Sequence, residues 1–312
     1  MASLPTRPRL LPVFLVPLAL LTLLGASPAA AALRVVATFP DVADMTRQIG
    51  GERVSVETLA GSDQDPHRVP MKPSFVTKLN RADALVVIGL GLEHGFLPGL
   101  LEAAANPKIA PGSPAYIDAS LYVPVLEVPT SQNRSQGELH PLGNPHFNLD
   151  PVRGKDMARA IAEGLARVDP AGAPQYEEGL RQYEALLDRR IAEWAAMAAP
   201  LKGLKLISYH PDLVYLAQRY GLDVVDTIEL RPGVPATPGH VEELVARMKA
   251  ENVHVVAREV TYDPGLASSI AERTGATVVS YSVLTGGLPG TKSYVDFVDA
   301  NLRALVAVAG SH

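Results

Sequence analysis

Short apolar runs separated by longer segments of mixed polarity form the dominant pattern of this sequence. The runs are rich in Val, Ile and Leu, which predicts strands. The predicted strands are Leu33–Thr38, Val54–Leu59, Ala84–Ile88, Ala115–Asp118, Leu204–Ser208, Val224–Val225, Val253–Ala257 and Thr277–Tyr281. Helical patterns lie between these strands, and this alternation predicts an α/β fold with parallel sheets that helices cover on both faces.

Helices are predicted in the segments between the strands and after the last one. They are Asp41–Ile49, Pro73–Asn80, Leu97–Ala105, Val152–Val168, Ala173–Ala199, Asp212–Tyr220, Pro238–Glu251, Pro264–Thr274 and Ser293–Val308. The longest, of about 25 residues, would span about 40 Å, which suits a connection along two lobes. The alternative is a long surface helix of a single domain. We therefore predict an N-terminal α/β lobe at 33–172, a connecting helix at 173–199 and a C-terminal α/β lobe at 200–312.

The start of the chain has the order of a secretory signal peptide, predicted at 1–32. Arg7 and Arg9 precede the apolar run Leu10–Leu24, and the small-residue stretch Gly25–Ala32 follows. Cleavage is expected among Ala29–Ala32. An uncleaved anchor is the alternative, but the run is short for a membrane span. The sequence has no cysteine, so we expect no lipid anchor there and a soluble protein in a Gram-negative periplasm.

Charge and composition narrow the possible partners. The formal net charge of −5 argues against a nucleic-acid partner. Hydrophobic residues make up 47% of the chain, a share that the leader raises but that still supports a packed core. The segment Glu127–Leu139 is polar and has no periodicity, so we expect a mobile loop.

Three histidines lie in similar surroundings, each beside a proline on a loop after a strand-like run. His146 lies in the central stretch HPLGNPHFNLDP, His67 in SDQDPHRVP and His210 in ISYHPDLVYLA. Ligands of open parallel sheets bind beyond the carboxyl ends of strands, and Glu259 follows the strand Val253–Ala257 there. Zinc favours imidazole nitrogens and accepts a carboxylate. The pattern therefore predicts a zinc site between the lobes.

Two positions in this predicted site have alternatives. Glu259 is the expected fourth ligand; otherwise it pairs with Arg258 or another basic residue, and water or His140 completes the shell. His140 itself is interpreted as a polar residue at the mouth of the site, with an auxiliary ligand as the alternative.

The remaining polar candidates have simpler interpretations. His94 and His240 are predicted to be cap or rim residues at helix starts. His254 is predicted to lie in the core with its ring nitrogens hydrogen-bonded. Asp65 either hydrogen-bonds an imidazole or caps its own turn, and Asp150 is predicted to cap a helix.

Five longer motifs carry a family resemblance over nearly the whole chain after the leader. They are DPHRVPMKPS (Asp65–Ser74), NPHFNLDP (Asn144–Pro151), YHPDLVYLAQRYGL (Tyr209–Leu222), REVTYDPGLASSIAERTGA (Arg258–Ala276) and SYVDFVDANLRAL (Ser293–Leu305). With these motifs the chain resembles the periplasmic solute-binding proteins of zinc and manganese ABC transporters. The resemblance implies two α/β lobes, a long connecting helix and metal held between the lobes by His67, His146 and His210. Manganese-type members usually carry a carboxylate at the third position, so His210 there implies the zinc type.

The chain departs from the family pattern at two places. Many members have an aspartate ligand after the last strand, where this sequence has Tyr281–Leu284 without a carboxylate. Many zinc members also carry a histidine-rich loop before the central motif, whereas Glu127–Leu139 contains no histidine. The first departure is the reason for assigning the fourth ligand to Glu259.

These observations predict a periplasmic protein that captures Zn²⁺ and delivers it, as a monomer, to an ABC transporter permease and its ATPase. The predicted site is His67, His146, His210 and Glu259, with Mn²⁺ as the second choice of ion. The protein is expected not to be an enzyme. The alternatives are a manganese or iron importer component, a metal-stabilised adhesin, and a secreted zinc hydrolase, for which the sequence has no HExxH motif.

Overall fold

Eight strands and nine helices organise the residues that the computed structural model describes, which are 1–2, 31–129, 140–230 and 233–310. The strands are β1 (Leu33–Ala37), β2 (Val54–Thr58), β3 (Ala84–Val87), β4 (Tyr116–Asp118), β5 (Lys205–Ser208), β6 (Asp223–Thr227), β7 (Val255–Glu259) and β8 (Thr277–Tyr281). The helices are α1 (Pro40–Gly50), α2 (Pro73–Arg81), α3 (Leu97–Ala104), α4 (Pro151–Val168), α5 (Ala173–Met197), α6 (Val214–Tyr220), α7 (Pro238–Glu251), α8 (Pro264–Thr274) and α9 (Tyr294–Ala309). Most of the predicted signal peptide and of the polar loop 127–139 lies outside the described residues.

The strands form two parallel sheets of four, in the orders β2-β1-β3-β4 and β6-β5-β7-β8. The two-lobe α/β fold predicted from the alternation of strands and helices is therefore confirmed. In each sheet the strand order reverses beside the first strand, β1 or β5, and ligands bind outside the carboxyl ends at such a switch point. Among the described residues, no helix is both long and apolar enough to cross a bilayer.

Proline and capping residues explain where several helices begin. Asp150 accepts a hydrogen bond from the backbone N–H of Val152 ahead of α4, as predicted from the Asp-Pro pair. Thr237 and Asp263 cap α7 and α8 in the same way, each before a proline. These caps fix the points at which the chain leaves the loops at the sheet edges.

Two predictions for the segment around β7 were wrong. Strand β7 spans Val255–Glu259 rather than Val253–Ala257, and it begins three residues after the left-handed Asn252 that ends α7. His254 precedes this strand and is exposed between the buried Val253 and Val255, so the prediction that it lies in the core was wrong.

Helix α5 spans 25 residues and packs against both lobes. It buries Tyr176, Tyr183, Leu187 and Trp194 on one face. Gly179 lies against α1, where a Cβ atom would come within 2.2 Å of the carbonyl oxygen of Ile49. At the other end, the indole N–H of Trp194 donates to Asp299 of α9 at 3.0 Å. The larger hydrophobic core accordingly runs without interruption through residues of both sheets.

Buried hydrogen bonds also cross directly between the lobes. Asp41 of α1 accepts bonds from the backbone N–H (3.2 Å) and the hydroxyl (3.0 Å) of Thr285. Asp44 accepts from the backbone N–H of Tyr294 at 2.8 Å. The amide of Asn148 donates to the carbonyl of Val283 at 2.8 Å. Because these groups are buried, a large separation of the lobes would leave several of them without partners.

We therefore expect metal binding to change the shape of the protein only locally. Small-angle scattering with and without zinc should give the same radius of gyration, because α5 and the buried bonds hold the lobes in one arrangement. A clear decrease of the radius on adding zinc would contradict this expectation.

Candidate metal centre

Three histidines from distant parts of the chain meet between the two sheets. Among the described residues, His67, His146 and His210 form a group whose donor atoms all lie within 4.8 Å of one another. The Nε2 atoms of His67 and His146 are 3.2 Å apart. Two nitrogens on one tetrahedral zinc ion, each about 2.0–2.1 Å from the metal, are about 3.3 Å apart. The two imidazoles are therefore spaced as ligands of one ion.

His67 lies on the loop between β2 and α2. The carboxylate of Asp65 accepts a hydrogen bond from the backbone N–H of His67 at 2.9 Å, and the carbonyl of Asp65 accepts one from Arg68. Of the two interpretations of Asp65, the structure has the turn cap, since the Nδ1 atom of His67 is buried and has no hydrogen-bond partner among the residues that the structure describes. This ring is oriented by its backbone turn rather than by a side-chain partner.

His146 begins a short 3-10 helix, His146–Leu149, immediately before the cap of α4. Its backbone N–H donates to the side-chain oxygen of Asn144 at 3.0 Å. The amide nitrogen of Asn144 donates to the carbonyl of Pro211 at 2.8 Å and to Glu127 at 3.0 Å. Asn144 thus connects the loop of His146 with the loop of His210.

His210 follows β5 and is held by a buried carboxylate. Its Nδ1 atom lies 2.7 Å from Glu229, which follows β6, and both side chains are almost fully buried. When Nδ1–H donates to a carboxylate, the Nε2 lone pair is left for a metal and the ring becomes a stronger ligand. Glu229 was not among the predicted residues, although the strand-end rule that selected Glu259 applies to it equally.

Two further carboxylates line the same cavity. Glu259 ends β7 and is 1% exposed, and within the described part of the chain neither of its carboxylate oxygens has a hydrogen-bond partner. Asp212 is fully buried; one of its oxygens accepts from the hydroxyl of Tyr281 at 2.6 Å, and the other has no partner among the same residues. Buried carboxylates without partners are costly unless a cation or a proton joins them. The donor set therefore fits a divalent cation.

The structure does not have the predicted alternative pairing of Glu259 with Arg258. The guanidinium of Arg258 donates to the backbone carbonyls of Glu259 (2.9 Å) and Tyr262 (2.5 Å) and to Ser280. Ser282, at the position where many relatives carry an aspartate, donates to the carbonyl of Leu284 at 2.7 Å. The neighbouring Val283 lines the cavity instead.

Asp212 was missed because the sequence places it in the first turn of a helix. Helix α6 begins only at Val214, so Asp212 remains on the loop beside His210. The whole cavity, which Asp65, Pro66, Thr261 and Tyr262 also line, measures about 10 Å³. A space of this size has room for one ion or one water molecule.

The electrostatics of the cavity differ between its two sides. Burial lowers the pKa of His67 and of His146 well below 6.5, so both rings are neutral at neutral pH. Burial also acts on His210, but the hydrogen bond to Glu229 and the charge of Asp212 outweigh it and raise its pKa. Burial, followed by the neighbouring Asp212, raises the pKa of Glu259 well above its usual range.

The other histidines divide between the mouth of the site and the distant surface. His140 lies beside the site, with its ring centroid 5.1 Å from that of His67, and the ring of His94 follows at 5.8 Å from His140. His240 is half-buried in the first turn of α7, where its backbone N–H donates to the capping hydroxyl of Thr237 and its Nε2 lies 2.9 Å from the carbonyl oxygen of Thr227. His94 therefore has the rim position expected of it, and His240 lies at the helix start but is not itself the cap.

The family of the chain follows from a comparison with known proteins. Residues 35–308 match the family model of the zinc-uptake complex component A, periplasmic (ZnuA). The chain belongs to this family. A solved structure of ZnuA is 28% identical to it and covers 89% of this chain and 98% of that one, with a TM-score of 0.74. A manganese-bound periplasmic metal-binding protein of Candidatus Liberibacter asiaticus, at 20% identity and a TM-score of 0.73, shares the fold.

Curated relatives of this ZnuA-family protein are named for different metals. The manganese ABC transporter substrate-binding lipoprotein PsaA of Streptococcus anginosus is 26% identical over 86% of this chain and 87% of its own length. The zinc-binding lipoprotein AdcA of Streptococcus pneumoniae is 25% identical over 88% of this chain and 55% of its own length. The iron ABC transporter substrate-binding lipoprotein MtsA of Streptococcus pyogenes is 23% identical over 84% of this chain and 84% of its own length.

Membership of the ZnuA family makes this chain a metal-binding substrate-binding protein of an ABC transporter. Such proteins work with a permease and an ATPase and are not enzymes. The prediction that the protein is not an enzyme is therefore confirmed, and the hydrolase alternative is wrong. The relatives are extracytoplasmic lipoproteins or periplasmic proteins by name, and their names cover three metals.

The bond between Glu229 and His210 leads to a prediction about metal affinity. Replacing Glu229 by Ala should weaken zinc binding by about 10- to 100-fold, because His210 loses the partner that orients it. Glu229→Gln, which keeps an acceptor oxygen, should lose less. Titration calorimetry checks both variants.

Glu242→Ala is the matched control, since Glu242 lies on the exposed surface of the same lobe. Its zinc affinity should equal that of the parent. Parent affinity in folded Glu229→Ala would show that His210 needs no such partner.

Proposed function

We propose that this protein captures zinc in the periplasm, after cleavage of its signal peptide, and delivers it to an ABC importer. The observation that carries the proposal is the 3.2 Å spacing of the Nε2 atoms of His67 and His146 beside His210. Three imidazoles and one carboxylate suit a tetrahedral, borderline-soft ion better than an ion that prefers six oxygens.

Glu259 is the proposed fourth ligand. Its two carboxylate oxygens have no hydrogen-bond partners in the described ranges, and it ends the strand beside the one that leads to His210. With Glu259 ionised, its carboxylate offsets part of the charge of the cation, and the neutral histidines supply uncharged nitrogen ligands. The small cavity supports the assignment, since an ion with four protein ligands carries no water of its own into the site.

Manganese or iron is the second candidate substrate, and Asp212 is the observation that favours it. The free oxygen of Asp212 adds a second carboxylate to the cavity, and hard ions prefer a higher number of oxygen ligands. Direct competition between the metals therefore decides the assignment. Tighter binding of manganese than of zinc by the parent would overturn the zinc proposal.

The site assignment predicts the effect of removing each ligand. His67→Ala, His146→Ala and His210→Ala should each weaken zinc binding by more than about 100-fold, beyond the loss that an outer partner causes. Glu259→Ala should weaken it as well, because the site loses its negative ligand. Titration calorimetry with zinc alone measures these affinities.

His240→Ala and His254→Ala serve as controls, because neither residue lines the cavity. They should bind zinc like the parent. Unchanged zinc affinity in Glu259→Ala would remove Glu259 from the site and leave Asp212 as the remaining candidate carboxylate.

Proton competition gives a further prediction. Zinc binds the unprotonated imidazole, and the pKa of His210 is raised above 6.5, whereas those of His67 and His146 are lowered. Zinc affinity should therefore be full at higher pH and should begin to fall, as pH decreases, above the value of about 6.5 expected for an ordinary histidine.

Competition titrations with a zinc chelator between about pH 5 and 8 test this dependence. The Glu229→Gln variant should shift the onset of the loss to lower pH, because it removes the charge that helps to hold a proton on His210. A constant affinity over this range would contradict the assignment of His210 as a ligand.

A further inference from the structure

Five histidine rings form a continuous path from the protein surface to the three-histidine site. The ring of His94 lies 5.8 Å from that of His140, which lies 5.1 Å from that of His67. His67 in turn lies 5.1 Å from His146 and 5.0 Å from His210. Exposure decreases along the path, from the exposed His94 through the half-buried His140 and His67 to the buried last two rings.

His94 is held in a form that is ready to bind a cation. Its Nδ1 atom lies 2.8 Å from the carbonyl oxygen of Gly91. A carbonyl only accepts, so Nδ1 carries the hydrogen, and in the neutral ring Nε2 keeps a free lone pair. This carbonyl-to-imidazole arrangement is the one that orients metal-binding histidines in general. Gly91 has a φ of +81°, a conformation that glycine adopts without strain.

His140 supplies the second ring. Both of its ring nitrogens are buried, and neither makes a hydrogen bond within the described residues. Burial, with the neighbouring rings of His94 and His210, lowers the pKa of His140 to about 4, so the ring is neutral at neutral pH. Buried nitrogens without partners carry a free-energy cost that a bound cation or water removes.

The size of the inner cavity restricts how a hydrated cation can enter it. The cavity of about 10 Å³ has room for one ion but not for the several waters that a dissolved divalent cation carries. The waters must therefore be replaced before the ion reaches His146 and His210. Imidazoles at the mouth replace them one at a time, so that the ion is never without ligands.

We propose that His94 and His140 form a second, weaker site for zinc, which receives the ion at the surface and passes it to His67. The inference rests on the proposed binding of zinc by the inner site. Two protein ligands leave open positions that water fills, so the outer site is weak and reversible. Transfer exchanges one zinc–nitrogen bond for another: the ion leaves His94 as His67 binds, and no electron or proton needs a separate acceptor.

Rate measurements distinguish this role from a role in final affinity. A residue on the route but outside the final site speeds binding and release equally. In His94→Ala the association rate constant for Zn²⁺ should therefore fall by about tenfold or more. The dissociation rate constant, measured by mixing the zinc-loaded protein with excess chelator, should fall by the same factor. The equilibrium affinity of the inner site should stay at the parent value.

Stopped-flow mixing of the full chain with zinc chloride measures both rate constants. His254→Ala is the matched control, since it removes an exposed histidine of the other lobe and should leave both rate constants unchanged. Titration with Co²⁺ gives an independent readout: the parent should bind a second, weaker equivalent that both His94→Ala and His140→Ala lose.

The outcomes separate this inference from the function on which it rests. If the parent binds no zinc, the proposed function fails. If the parent binds zinc and folded His94→Ala has the same rate constants, or the second cobalt equivalent persists in it, only the outer site is overturned. A lower affinity in His94→Ala with an unchanged association rate would also overturn it, because His94 would then belong to the final site.

Discussion

The side chain of Asn144 holds together the loops on which the metal centre depends. Its oxygen accepts from the backbone of His146, and its nitrogen donates to the carbonyl of Pro211, the residue after His210. Its own backbone carbonyl accepts from the hydroxyl of Tyr215 on α6 at 2.7 Å. One buried amide thus connects two loops from different lobes that carry proposed ligands, and an aspartate at this position would lose the donor that crosses between them.

The centre that these loops build is unfavourable without a cation. Glu259 and Asp212 are buried close to each other, and burial raises the pKa of both carboxyl groups. Protonation relieves the repulsion, but it removes the charge that attracts a metal. The rest of the protein compensates through the continuous core and the buried bonds between the lobes. The framework therefore supplies the stability of the fold, whereas the cavity supplies the affinity for a cation.

The sequence predicted the framework well and the centre in part, for a physical reason. Apolar periodicity decides which residues form strands and helices, and the strand ends then place His67, His210 and Glu259 at one edge. Asp212 and Glu229 depend on where a short helix begins and a short strand ends, which packing decides rather than local pattern. The prediction that His254 is buried failed because this residue lies one position before its strand, where the apolar run no longer determines burial.

The same framework limits how the ion can leave. Large opening of the lobes would break the bonds of Asp41, Asp44 and Asn148, so release has to begin in a loop. His146 and His210 are both held through Asn144, and His210 also through Glu229. Within the described residues, the loop of His67 is held by the turn made by Asp65, and the Nδ1 atom of His67 has no hydrogen-bond partner there. Since the histidine with the fewest supports moves at the lowest cost, the loop of His67 is the part of the proposed site that is displaced most easily.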